Sequence, residues 1–367
     1  MRFNCDYKPS MRKRALWAGY IFFIAALFIF SSRQAHTVSS DDGNPEVPGI
    51  TVQMLDQMTR LPGDLAALPD FSPGASRNEA EIELGKTLFF DTRLSGDRSL
   101  SCASCHDPAK GFADGKPRAT GFAGKELLRH SPTVLNAAFN KYQFWDGRSR
   151  SLEEQALGPI LSREEMNMVS GQQLIRRLNE VPEYRERFRK AFGRGPTLRS
   201  VARAISAFER TLITPDSPFD RYLDGDKNAL SLEEKRGLIL FIGKASCSQC
   251  HNGPNLTDNK FHSLGSYRPD DLGRYRVTRV KKDKGAFKTP TLRNIALTMP
   301  YMHDGSLKTL EEVIDHYDEG GGTARNKSDL ILKLRLTQQE KSDLLAFLKT
   351  LTGKMPQVSM PQIPGGD

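Results

Sequence analysis

Two Cys-x-x-Cys-His motifs constrain this chain more than any other feature. Cys102-Ala-Ser-Cys105-His106 and Cys247-Ser-Gln-Cys250-His251 each present two thiols at the spacing of the two vinyl groups of a haem, followed at once by an imidazole that can lie beneath its iron. Zinc is a competing use of such residues. Zinc ribbons, however, bring their second cysteine pair in within about 20 residues, whereas 142 positions separate Cys105 from Cys247. A disulfide within each pair would leave His106 and His251 without a role. Two covalently attached haems c are therefore expected, with His106 and His251 as proximal iron ligands.

Each motif follows a matching stretch. Glu81-x-x-x-Gly85-x-x-Leu88-Phe89 precedes the first, and Glu233-x-x-x-Gly237-x-x-Leu240-Phe241 precedes the second, so the chain holds two copies of one module. Both copies open with an amphipathic helix, the second started by Ser231 with Glu234 three residues on. Further helices are predicted over Gln172 to Leu178, near Val201 to Leu212, after the Thr309-x-x-Glu312 capping box, and from Thr337-x-x-Glu340 into Leu344, Leu345, Leu348 and Leu351. Strand alternation is nearly absent. The expected fold is mainly α, with two cytochrome c-like domains over residues 75–214 and 215–355, each around one haem. Thr214-Pro-Asp-Ser-Pro218 marks the seam between them. Residues 37–74, rich in Pro, Gly and Asp, read as a linker or wrapping arm, and 356–367 as a tail.

Residues 1–36 read as an export segment. Arg12, Lys13 and Arg14 precede an apolar run from Ala15 to Phe30, the layout of a secretory signal or a signal anchor. The run is slightly short for a comfortable bilayer span and Ser31 to His36 is a mediocre cleavage site, so a cleaved signal and an inner-membrane anchor both stay open; either leads to the periplasm. Cys5, ahead of this segment, has no partner. Of the formal charge of +9, +5 lies in residues 1–36, leaving about +4 for the rest. No long basic run remains, and nucleic-acid binding is not suggested.

The chain resembles the bacterial dihaem cytochrome c peroxidase and MauG superfamily. The resemblance is carried by Leu84-Gly-Lys-x-Leu-Phe-Phe-Asp91, Ser131-Pro-Thr-Val-Leu-Asn136, Phe144-Trp-Asp-Gly-Arg148, Glu165-Met166, Leu212-Ile-Thr-Pro-Asp-Ser-Pro-Phe-Asp220, Thr291-Leu-Arg-Asn294 and Tyr301-Met-His-Asp-Gly305, in family order across residues 75–352. It implies that the haem at Cys102, Cys105 and His106 is the peroxide site and that the haem at Cys247, Cys250 and His251 relays electrons. Many such peroxidases close the resting peroxide site with a His eight residues before the position of His130. Phe122 stands there and cannot ligate iron, so an open first haem is expected. At the second haem the resemblance implies Tyr317 as distal ligand, as in MauG-like members, where typical peroxidases have Met. Tyr317 also shares the apolar face of Leu310, Val313 and Ile314. Met299, Met302, His303 and His316 are the chemically able competitors.

The resemblance further assigns Glu165 as the distal acid, Gln155 as an orienting hydrogen-bond donor, Pro159 as part of the pocket wall and Trp145 as the bridge between the haems. It implies a calcium ion held by the backbone carbonyls of Thr298 and Pro300, but His130 replaces the Asn that completes the site. The implied activity is reduction of hydrogen peroxide with electrons from a small periplasmic cytochrome c or cupredoxin. One alternative is a MauG-like oxidase that uses peroxide equivalents to modify residues of a partner protein. Trp145 is the only tryptophan beyond the leader, so hole transfer to such a partner would fall to Tyr142, Tyr222 or Tyr275. A second alternative is a dihaem electron carrier without peroxidase activity.

Overall fold

The computed structural model describes residues 50–365; the export segment, Cys5 and the start of the arm lie outside these residues. The described chain is mainly helical. In order, its α-helices are α1 (Val52–Gln57), α2 (Glu79–Phe90), α3 (Leu152–Leu161), α4 (Gly171–Asn179), α5 (Pro182–Phe192), α6 (Leu198–Glu209), α7 (Pro218–Leu223), α8 (Leu232–Ile242), α9 (Tyr275–Thr278), α10 (Leu310–Asp318) and α11 (Gln338–Lys349). A two-stranded antiparallel ladder, β1 (Phe261–His262) with β2 (Phe287–Lys288), is the only named sheet among the described residues. Helix starts fall where side-chain oxygens meet orphan backbone donors. Ser231 Oγ accepts from Glu234 N at 3.3 Å while Glu234 Oε2 accepts from Ser231 N at 2.7 Å, and Thr337 and Glu340 repeat this reciprocal box at the head of α11.

The duplicated glycines explain the core of each module. A Cβ on Gly85 would lie 1.8 Å from the carbonyl oxygen of Ala204, and one on Gly237 would lie 2.0 Å from that of Asp343. Only glycine lets α2 cross α6, and α8 cross α11, with the backbones in contact. Beside each crossing an aromatic pair fills the gap: Phe89 on Phe208 at 5.3 Å and Phe241 on Phe347 at 5.1 Å between ring centres. Burial of the surrounding Leu, Ile and Phe side chains yields two separate hydrophobic cores, each side chain contributing about 1.5–3 kcal/mol.

The chain ends cross over. Leu55, Leu61 and Leu65, which precede the leading module, belong to the trailing core. Met355 and Val358, which follow the trailing module, pack on the leading core, and Arg93 reaches the carbonyl of Gly365 at 2.8 Å. Arg293, 1 % exposed, ties this arrangement from inside: its guanidinium pairs with Asp220 at 2.8 Å and donates to the carbonyls of Pro254 and Ala66.

Polar groups join the modules at a buried seam. Thr214 Oγ1 accepts from Asn136 Nδ2 at 2.8 Å and from Asn294 Nδ2 at 2.6 Å, one amide from each module. Arg129 of the leading module pairs with Asp146 at 2.8 Å and with Asp271 of the trailing one at 2.6 Å. No helix among the described residues is long and apolar enough to cross a membrane.

Candidate haem sites

Local backbone geometry aims both motif histidines. Phe112 and Leu256 adopt positive φ, +56° and +50°, which turns their carbonyls back onto the ring preceding them in sequence. His106 Nδ1 donates to Phe112 O at 3.2 Å, and His251 Nδ1 donates to Leu256 O at 3.1 Å. A carbonyl can only accept, so in each ring Nδ1 carries the proton and Nε2 keeps the lone pair that a metal requires. Burial lowers the pKa of His106, and that of His251 to about 4, which keeps both imidazoles neutral.

Around the first motif lies a cavity of about 680 Å³, a volume typical of cofactor pockets. Cys102, Cys105 and His106 line it together with Trp145, Gln155, Pro159, Glu165 and His130. These side chains come from separate places: Gln155 and Pro159 project from α3, Trp145 from the 143–149 hairpin, and Glu165 from the turn after α3. That turn is folded back on the helix end, because Pro159 O accepts Met166 N at 3.1 Å and Ile160 O accepts Met168 N at 2.9 Å. Burial raises the pKa of the Glu165 carboxyl, opposed by the Arg148 guanidinium 4.0 Å away. Glu164 also borders the cavity, but its carboxylate is 58 % exposed and bound to Lys125 at 2.5 Å, whereas that of Glu165 is 26 % exposed. In the neighbouring loop Phe122 N donates to Glu164 O at 3.0 Å; Thr120 and Gly121 line the cavity but Phe122 does not.

The donor sets fit haem. Two thiols and an imidazole nitrogen with a free lone pair face a cavity of suitable size. Glu209 Oε2 is buried beside Cys102 without any hydrogen-bond partner, an orphan that a bound group or water would satisfy.

Comparison with known proteins agrees with this geometry. Residues 79–228 match the family model for di-haem cytochrome c peroxidase and residues 235–352 that for cytochrome c. The chain is 43% identical over 314 residues to the methylamine utilization protein MauG of Methylorubrum extorquens, covering 82% of this chain and 89% of that protein. The chain belongs to the di-haem cytochrome c peroxidase family. A cytochrome c551 peroxidase of Pseudomonas aeruginosa is 42% identical over 303 residues, covering 79% of this chain and 84% of the relative. The crystal structure of a MauG-like protein associated with microbial copper homeostasis superposes with a TM-score of 0.72 at 36% identity, covering 78% of this chain and 95% of that one. As a family member the chain carries two haems c, and it is an oxidoreductase of the peroxidase type.

At the second motif, Leu310 and Ile314 of α10 share a core with Cys247, and Tyr317 follows them on the same helix face. Burial, then the Cys247 and Cys250 thiols, drives its phenol pKa well upward. Of the other able ligands, Met299 is 52 % exposed. His303 stacks on Phe287 at 3.7 Å, its Nε2 buried without a hydrogen-bond partner. His316, beside Tyr317, meets it edge-on at 5.8 Å. Met302 sits at positive φ in the 301–307 hairpin.

Trp145 spans the modules through its own backbone and ring. Its Nε1 donates to His130 O at 3.0 Å, while its carbonyl accepts Lys288 N of β2 at 2.7 Å. The calcium position is thinly furnished. His130 donates from Nδ1 to Lys116 O at 2.7 Å and offers a metal only nitrogen, where calcium takes six to eight oxygens, so His130 with the Thr298 and Pro300 carbonyls does not fit calcium. Of the tyrosines expected to carry holes outward, Tyr222 is a correction: it is 1 % exposed and donates to Asp56 at 2.9 Å.

Sequence reasoning missed Glu209, 4 % exposed with a pKa raised by burial to about 8; its signal was a lone carboxylate closing the apolar helix α6. It also missed Arg276 and Val277, which the trailing module contributes to the leading cavity and which no local pattern announces.

Proposed function

We propose that this chain reduces hydrogen peroxide at the haem attached through Cys102 and Cys105, with electrons relayed by the haem attached through Cys247 and Cys250. Gln155, Glu165 and Trp145 converging on one cavity with Cys102, Cys105 and His106 is the observation that carries this reading. The reaction takes up two electrons and two protons and releases two waters. A haem held there would supply an iron that binds peroxide and accepts its oxidising equivalents. His106 would hold that iron through Nε2, its ring fixed by the Phe112 carbonyl. Glu165 takes a proton from one peroxide oxygen on its carboxylate and returns it to the oxygen that leaves as water. Gln155 orients the peroxide with its amide. Arg148 steadies the carboxylate without neutralising it for good, since both groups are partly exposed. Trp145, hydrogen-bonded to His130 and to β2, would carry electrons between the two haems, and Tyr317 would hold the second iron. One-electron donors of the small periplasmic cytochrome c or cupredoxin class reload the pair, and residues 1–36 deliver the chain to the periplasm, by a cleaved signal or as an anchor.

A second reading, modification of a partner protein, is favoured by Tyr317 and by the likeness to MauG; Tyr142, 5.6 Å from Phe261 between ring centres, and Tyr275 are the outlets for it. Steady-state peroxide consumption with reduced cytochrome c, set against stoichiometric oxidation of a candidate partner, separates the two. A high-spin ferric haem in the untreated protein is expected, and two low-spin haems would overturn the open first haem.

A further inference from the structure

The two modules repeat in more than their haem motifs and crossing helices. Thr133 Oγ1 donates to Gly111 O at 2.6 Å, and Thr291 Oγ1 donates to Asn255 O at 2.7 Å. Asn136 and Asn294 both take positive φ, +58° and +60°, and each opens a single 3-10 turn. Next, Gln143 Nε2 donates to Ala137 O at 2.9 Å while Tyr301 Oη donates to Ile295 O at 3.1 Å. The hairpins that follow close alike, Gln143 N on Ser149 O at 2.9 Å and Tyr301 N on Leu307 O at 2.7 Å, with positive φ at Phe144 and Gly147 in one and at Met302 and Gly305 in the other. Ser151 then caps α3 on Glu154 N at 3.1 Å, as Thr309 caps α10 on Glu312 N at 3.2 Å.

From Thr133 and Thr291 onward each pair is 158 positions apart, so the register runs without a gap into the two helices. Carried along them, it sets Leu152 on Leu310, Ala156 on Ile314, and Pro159 on Tyr317. Pro159 lines the leading cavity with Cys102 and Cys105; Tyr317 continues the face of α10 whose Leu310 and Ile314 share a core with Cys247. One position of a duplicated helix thus faces each haem, with a side chain that has no donor atom in the first case and a phenol in the second.

We infer that positions 159 and 317 are a single coordination position present twice, and that its occupant assigns the two haems their roles. The inference rests on the proposed open first haem and Tyr-capped second haem. Pro159 keeps the leading iron open because it offers nothing to bind it. Its contribution to the Glu165 turn is made by its backbone carbonyl, which any residue at 159 retains.

The test is cyanide titration of the ferric protein with both haems attached, followed by optical and electron paramagnetic resonance spectra. Pro159→His puts a strong-field donor at the position; the high-spin signal should disappear, and the single cyanide equivalent bound by the unaltered protein should be lost. Pro159→Ala, without a donor, should keep both. Tyr317→Ala should add a second cyanide-binding, high-spin haem, and it decides the matter where Pro159→His fails to acquire two haems per chain by the pyridine haemochrome assay. Unchanged cyanide uptake in Pro159→His, loss of it in Pro159→Ala, or no second site in Tyr317→Ala overturns the inference. An unaltered protein without a high-spin haem overturns instead the reading beneath it, before any variant is made.

Discussion

Replacing Glu165 with Gln removes the one proton carrier assigned to the peroxide cavity while keeping its size and its polar contacts. General acid–base groups contribute about 10²–10⁴ in rate, so kcat/KM for peroxide is expected to fall by that factor, equivalent to about 3–5 kcal/mol. The pH profile gives a sharper test. Burial holds the Glu165 pKa above the ordinary carboxylate value, and the carboxylate form is the one that accepts the peroxide proton. Activity should therefore decline as pH drops through a value higher than that of a solvated Glu. Arg148, 4.0 Å from Oε1, pulls the other way. Two charges at that distance interact by about 4 kcal/mol at an effective dielectric of about 20, but Arg148 is partly exposed, which reduces this to about 0.5–1 kcal/mol. At 1.36 kcal/mol per unit, Arg148→Ala should move the acid limb upward by roughly half a pH unit. Asp146 keeps its pair with Arg129 in that variant, so the hairpin stays anchored. Stopped-flow peroxide consumption between about pH 4 and 8 measures both effects. A Glu165→Gln enzyme with wild-type kcat/KM, or one that retains the acid limb, would refute the assignment of the proton carrier.

Further expectations concern the bridge and the frame. Trp145→Phe keeps a ring between the modules but deletes the donation to His130 O; electron equilibration between the haems after mixing with peroxide should slow, with both haems still attached. Thr214→Val leaves the Asn136 and Asn294 amides facing a methyl group in a buried seam, and should cost about 2–6 kcal/mol in denaturant unfolding at about 1–3 kcal/mol per unsatisfied group. Arg293→Met strands the carboxylate of Asp220 and should destabilise by about 3–5 kcal/mol. Because pairing holds the Asp220 pKa below its unfolded value, the stability contributed by that pair is present above the ordinary carboxylate range and lost as pH falls below it; Arg293→Met should therefore unfold with a shallower acid dependence, followed by circular dichroism.

Much of this was legible in one dimension because the chemistry depends on short covalent spacing. A haem reaches two thiols and a histidine only when they are adjacent in sequence, so Cys102 to His106 and Cys247 to His251 announce themselves. The crossing glycines are legible for a related reason: Gly85 and Gly237 recur at a fixed distance ahead of the motifs, since the helix that carries them must touch the same partner in both copies. Caps such as Ser231 and Thr337 are local by nature. The boundary of α6, at Glu209 rather than Leu212, was less clear, because apolar residues continue past the last helical turn into the seam.

What required the fold is whatever depends on contacts between distant segments. That Glu165 is the shielded carboxylate and Glu164 the surface one follows from how the turn after α3 folds back on Pro159 and Ile160. That Tyr222 is buried, and that Arg276 and Val277 border the other module's cavity, follows from packing across the seam. The likeness of Pro159 to Tyr317 is invisible in sequence, since the residues share no chemistry, and emerges only when the hydrogen bonds of the two hairpins are laid in register. Sequence alone set the number of haems, their attachment and the helical modules, because those rest on bonds and turns between near neighbours. Tertiary structure decided which side chains meet around each haem, because burial and electrostatics are properties of surroundings assembled from the whole chain.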